Sequence, residues 1–199
     1  MSVHAEVAHH GPPPANVSSR VDARLLGMFL FIASEIMLFG AFFTLYFFIR
    51  IVNHAPEWPP KPYEFPVFVA GINTAILITS SFSMHWSLQS IKRGARNGMR
   101  AGLLLTFLLG AAFLYGQLWE YARIGFAPHT GAFASVFFCL TGLHGAHVIV
   151  GLTILLSMTI RAFRGHFSAD HHHGVEIAGI YWHFVDIMWV IVFTTVYLI

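Results

Sequence analysis

Five side chains set in apolar sequence could carry chemistry in this chain of 199 residues: the carboxyls of Glu35 and Asp186 and the imidazoles of His144, His147 and His183. An acid at bilayer depth costs about 3 kcal/mol unless something satisfies it, so it marks a site or a partner. In the run Tyr181-Trp182-His183-Phe184-Val185-Asp186 the imidazole and the acid stand at i, i+3, one helical turn apart and within hydrogen-bond reach. His144 and His147 repeat that spacing, which puts them on one face of their helix. Two chemistries suit such groups. Imidazoles on facing helices ligate haem or copper; acids and imidazoles also hydrogen-bond one another across helix seams and fix register. A di-haem arrangement needs four axial ligands, paired at two depths. His144 and His147 lie too close along one helix for that layout, and His85 has no mate at its level. The spacing therefore favours hydrogen bonding, and no catalytic, cofactor-binding or metal-ligating residue is assigned.

His171-His172-His173 invites a metal reading as well. In an extended loop, however, only His171 and His173 share a side, which is a poor start for a zinc site. The triplet is better placed as the lead into a last helix, with Glu176 in the first turn where the helix dipole favours an acid. Exposed histidines there could also collect protons.

The elements that must position these groups are membrane helices. Hydrophobic residues make up 56% of the chain and charged residues only 10%, against about 25% charged in soluble proteins. Five apolar stretches meet the length of about 20 residues needed to cross a bilayer: Leu25 to Ile49, Pro66 to Ile91, Ala101 to Tyr121, Ala132 to Ile160 and Ile177 to Ile199. The expectation is an all-α bundle of five transmembrane helices over residues 25–199, preceded by a mobile, polar tail over residues 1–24. No apolar h-region of a cleavable signal precedes Leu25, so the first helix is expected to remain as an anchor.

Basic residues set the orientation. Arg20, Arg24, Lys92, Arg93, Arg96, Arg100, Arg161 and Arg164 fall on one side, and Arg50, Lys61 and Arg123 on the other. That asymmetry puts the N-terminus in the cytoplasm and the C-terminus outside. A formal net charge of +2 spent at a membrane surface implies no nucleic-acid partner. Counted from the cytoplasmic ends, Glu35 lies about 15 Å deep, Asp186 about 14 Å, His147 about 20 Å and His144 about 24 Å. Glu120 falls near the outer boundary, where water is expected to reach it.

Between the helices, the proline-rich run Val52 to Phe65 is expected to be extended, with Trp58 and Tyr63 in an interfacial belt. Short connections elsewhere make consecutive helices antiparallel neighbours. Small residues at i, i+4, Gly71 with Ala75, Thr141 with Gly145 and Gly142 with Ala146, are candidate points of close helix approach. The second helix, with Asn73, Thr74, Thr79, Ser80, Ser81 and Ser83, should bury one face in protein, and the lone Cys139 is assigned to packing.

Taken in order, the motifs resemble subunit III of the haem-copper respiratory oxidases. Phe31-Ile-Ala-Ser-Glu35-Ile-Met-Leu-Phe39 resembles that family's glutamate-bearing helix, and Thr141-Gly-Leu-His144-Gly-Ala-His147-Val-Ile149 its Gly/His helix. His166-Phe167 through His172-His173-Gly174-Val-Glu176, then Tyr181-Trp-His-Phe-Val-Asp186, is similar to its C-terminal signature. The resemblance spans nearly all of Arg24 to Ile199. It implies a subunit of an oxidoreductase complex that itself carries no redox centre or catalytic group. Subunit I, which holds haems and copper, is the implied direct partner, with subunit II, small subunits, membrane lipids and a respiratory supercomplex around it. It also implies structural phospholipid and support for sustained proton uptake. Glu35 matches the family's buried helix glutamate, while Glu120, His144, His147, His172, His173, Glu176, His183 and Asp186 match its recurrent polar set.

Many members have seven helices, and the five here correspond to the third onward. This five-helix form implies a bacterial cytoplasmic membrane and a missing pair supplied by an extended subunit I. Glu at position 35, where some quinol-oxidising relatives have Asp, points to cytochrome c as donor. Alternatives are a quinol-oxidase subunit, a nitric-oxide-reductase accessory protein, a haem-binding cytochrome b subunit and a secondary transporter.

Overall fold

The computed structural model describes residues 23–52, 66–169 and 171–199. Five helices account for most of them: α1 Ala23–Val52, α2 Val67–Lys92, α3 Arg96–Arg123, α4 Ala132–Phe163 and α5 His173–Phe193, which continues as a π turn over Thr194–Leu198. All five are long and apolar enough to cross a membrane, and no strand occurs among the described residues. In lipid every backbone polar group must be satisfied within the segment, which leaves helices as the available form for these apolar runs. The expectations for the tail and for the proline-rich run, with Trp58 and Tyr63, fall outside the described residues, except that Ala23 and Arg24 belong to α1 and Val52 closes it.

Helices α3 and α5 start about one turn earlier than the hydropathy boundaries at Ala101 and Ile177. Arg96 to Arg100 and His173 to Glu176 are polar, yet they continue the backbone ladder of the apolar run that follows. Two connections stop in the same way. Gly94 and Gly165 adopt φ values of 77° and 79°, the left-handed conformation that glycine takes without a Cβ penalty. After each, the next amide reaches back five residues, Ala95 N to Ser90 O at 2.9 Å and His166 N to Arg161 O at 3.1 Å. This is the Schellman ending of a helix.

Helix α5 packs against α1, α2 and α4, while α2 pairs with α3 and α3 with α4. Trp182 of α5 lies at the centre. A Cβ added at Gly110 of α3 would sit 2.5 Å from its ring, and one added at Gly151 of α4 would sit 2.8 Å from it. Its indole N–H donates to Ser80 Oγ of α2 at 2.9 Å. One tryptophan thus ties four helices. The glycines of close approach are therefore Gly98, Gly102, Gly110, Gly116 and Gly151, whereas Gly71, Gly142 and Gly145 meet nothing within 4 Å. The glycines of the small-residue pairs expected from sequence are not points of close approach, because close approach depends on what stands opposite. Cys139, expected to pack, is exposed. The buried face of α2 is as expected, with Asn73, Thr74, Ser80 and Ser83 inside.

Lys92, Arg96, Arg100, Arg161 and Arg164 gather at one end of the bundle, where α2 and α4 finish and α3 begins. There Lys92 pairs with Glu176 at 3.5 Å, and Arg100 Nε donates to the Ala162 carbonyl at 3.1 Å near the end of α4. A cation at that position suits the helix dipole.

Candidate functional site

Glu35 and His147 meet across the seam between α1 and α4. The Glu35 Oε2 to His147 Nε2 distance is 2.8 Å, and both side chains are largely shielded. The other ring nitrogen fixes the chemistry. His147 Nδ1 lies 2.7 Å from the Leu143 carbonyl, which can only accept, so Nδ1 carries a hydrogen and donates it. One further proton is then shared between Nε2 and the carboxyl, and the pair is neutral overall whichever group holds it. Phe39 packs its ring 5.0 Å from the imidazole, and Tyr181 OH donates to the His147 backbone carbonyl at 3.3 Å. The arrangement can hold or pass a proton without creating net charge.

His144 goes elsewhere. The i, i+3 spacing was expected to keep it on one face with His147, but its ring is fully buried between Phe113 of α3 at 5.8 Å and Trp189 of α5 at 4.8 Å. Positions three apart on a helix differ by about 60° in direction. At a junction of several helices that angle is enough to send two side chains to different neighbours.

Asp186 and His183 also separate. The expected bond between them is not formed; His183 Nδ1 shares a 2.6 Å hydrogen bond with Ser81 Oγ of α2. Asp186 is 5% exposed, and neither of its oxygens has a hydrogen-bond partner among the described residues. Both residues, with Ser81 and His85, border a groove between α2 and α5.

Glu120 corrects another expectation. It is 1% exposed, not water-accessible, and accepts a 2.7 Å hydrogen bond from Tyr197 OH. The π turn makes this possible by adding a residue to the last turn, with Ile199 N bonding back to Thr194 O at 3.1 Å and Tyr197 turned inward. Gln117 lies buried one turn before Glu120, and Tyr121 OH donates to Thr141 Oγ1 at 2.7 Å.

At the basic end, His173 is the first residue of α5, His172 its N-cap and Glu176 the acid of its first turn, so the triplet leads into the last helix as expected. The rings of His172 and His173 stack at 5.9 Å, and His173 lies 3.7 Å from Glu176. A cavity of about 310 Å³ opens beside them, lined by Arg24, Arg161, His166, His171 and His173.

The structure thus joins Glu35 to His147 and His173 to Glu176, sets His183 and Asp186 on one groove without a bond between them, and leaves His144 and Glu120 in separate settings. Sequence reasoning missed Tyr197, and it named Ser81 and Trp182 without seeing what they bond. Their only signal was a hydroxyl or an indole N–H inside an apolar helix, which says that a partner is needed without saying which. Among the described residues no group of three or more His, Cys, Asp or Glu could hold a metal ion.

The family model described as cytochrome c oxidase subunit III matches residues 3–199. The chain is 42% identical over 179 residues to cytochrome c oxidase subunit 3 of Thermostichus vulcanus, covering 89% of this chain and 88% of that protein. It is 40% identical over 193 residues to the subunit 3 of Synechocystis sp., covering 96% and 78%. With that of Loxodonta africana it shares 39% over 181 residues, covering 86% and 67%.

Proposed function

This chain belongs to the cytochrome c oxidase subunit III family and is a subunit III of a haem-copper oxidase, and from that premise we propose that it is a multi-pass subunit of a bacterial cytoplasmic membrane that steadies subunit I and its proton-uptake side. Its basic end faces the cytoplasm, in keeping with the clustering of Lys92, Arg96, Arg100, Arg161 and Arg164. It performs no redox step; haems and copper reside in the partner subunits, and cytochrome c is the donor. The cavity bordered by Arg24, Arg161, His166, His171 and His173 suits the phosphate of a structural phospholipid, because guanidinium groups and imidazole N–H donors line it at a helix end.

The observation that carries this reading is the Glu35–His147 pair. Two ionisable groups are held at 2.8 Å midway along apolar helices, satisfied by each other and by a backbone carbonyl. That suits a role in durability and proton handling better than bond-making chemistry. Glu35→Gln keeps a hydrogen-bonding group at the seam but removes the acid. The variant complex should assemble normally and lose activity faster than wild type during sustained oxygen reduction. Identical decay of the two under turnover would count against Glu35 in this role.

A further inference from the structure

Resting on the reading of the chain as one subunit of an oxidase, we propose that the groove between α2 and α5 seats a transmembrane helix of a neighbouring subunit, and that this helix presents a hydrogen-bond donor to Asp186. The groove encloses about 460 Å³ between Ser81, Phe82 and His85 on one wall and His183, Asp186 and Ile187 on the other. Asp186 is buried to 5% exposure, with both carboxyl oxygens unbonded among the described residues. Ser81, the hydroxyl across the groove, bonds His183 at 2.6 Å and also stands near Asp186. The rims stand outward and are apolar, with Phe82 72% and Ile187 61% exposed.

Each competing occupant fails on chemistry. Asp186 lies midway along His173–Leu198, more than three helical turns from either end, beyond the reach of a lipid headgroup. An acyl chain reaches that depth but offers no donor. A second copy joined by a two-fold axis through the groove would set Asp186 against Asp186, acid facing acid. A helix from a different subunit can match the apolar rims along its length and supply one donor at one level. A single polar contact of this kind fixes register between helices in lipid.

The test uses the intact complex, purified in mild detergent through a tag on this chain. A photoreactive benzoylphenylalanine in place of Phe82, whose exposure makes it replaceable, should cross-link to another polypeptide of the haem-containing complex. Cross-links only to lipid, or only to a second copy, would overturn the proposal. In parallel, Asp186→Leu should lower the fraction of this chain retained in the complex by about ten-fold, whereas Asp186→Asn, which keeps an acceptor oxygen, should stay near wild type. Equal retention of all three also overturns it. If the Leu variant does not accumulate, the cross-link at Phe82 decides alone. The underlying oxidase reading fails separately, if no haem protein accompanies the unaltered chain.

Discussion

Helices α1 and α5 are both long and apolar, and α1 is the more apolar of the two, yet they are built into the molecule in opposite ways. Helix α1 buries two residues, Phe39 and Tyr46, while α5 buries eleven. Helix association in lipid gains little from hydrophobicity, because lipid tails are as apolar as leucine. What binds α5 is a set of large rings, each with a polar handle. Trp182 donates to Ser80, Trp189 to Thr74, Tyr181 to the His147 carbonyl and Tyr197 to Glu120. On helix α1 the polar attachment that stands out is the Glu35 contact to His147. Apolar character places a helix in the membrane, and shape with hydrogen bonding decides what it touches there.

The largest blow to this contrast should come from Trp182→Ala, which empties the space against Gly110 and Gly151 and removes the bond to Ser80 of α2. A loss of about 3–5 kcal/mol is expected, read as thermal unfolding of the detergent-solubilised complex; a loss below about 1 kcal/mol would mean that α5 is not held by this ring. Tyr197→Phe should cost about 1–3 kcal/mol in the same assay, because it leaves the buried Glu120 carboxyl without its donor. His147→Leu should weaken only the attachment of α1, by about 0.6–2 kcal/mol. Engineered cysteine pairs between α1 and α4 would then cross-link less efficiently, while pairs between α4 and α5 would not change. The smallest effect should be that of Gly40→Ala on α1, where a Cβ meets nothing within 4 Å. A gain of about 0.5–1 kcal/mol from lower backbone entropy is expected. Gly151→Ala, set against the Trp182 ring, should lose stability instead.

Element existence was legible from hydropathy, since five apolar runs of sufficient length have little alternative in lipid. Polar positions were legible too, because Glu35, Asp186 and the histidines interrupt otherwise apolar helices. Their partners were not. Spacing along one helix relates His183 to Asp186 and His144 to His147, but the rotation of each helix against its neighbours decides where each group points. That rotation is set by contacts such as Trp182 against two glycines, and these join residues far apart in the chain. Glu120 shows the same limit. Its nearness to a helix end was correct as a count along the axis, and it is buried because Tyr197 turns in from another helix.

The short span of the Glu35–His147 bond has an electrical consequence. Even if all of its 2.8 Å lay along the membrane normal, it would cross about a tenth of a 30 Å hydrocarbon layer. Transmembrane voltage would then do at most about 0.2 kcal/mol of work per 100 mV on a proton shifting from one partner to the other. The position of that proton is set by the local environment, and an energised membrane leaves it almost where a resting one does.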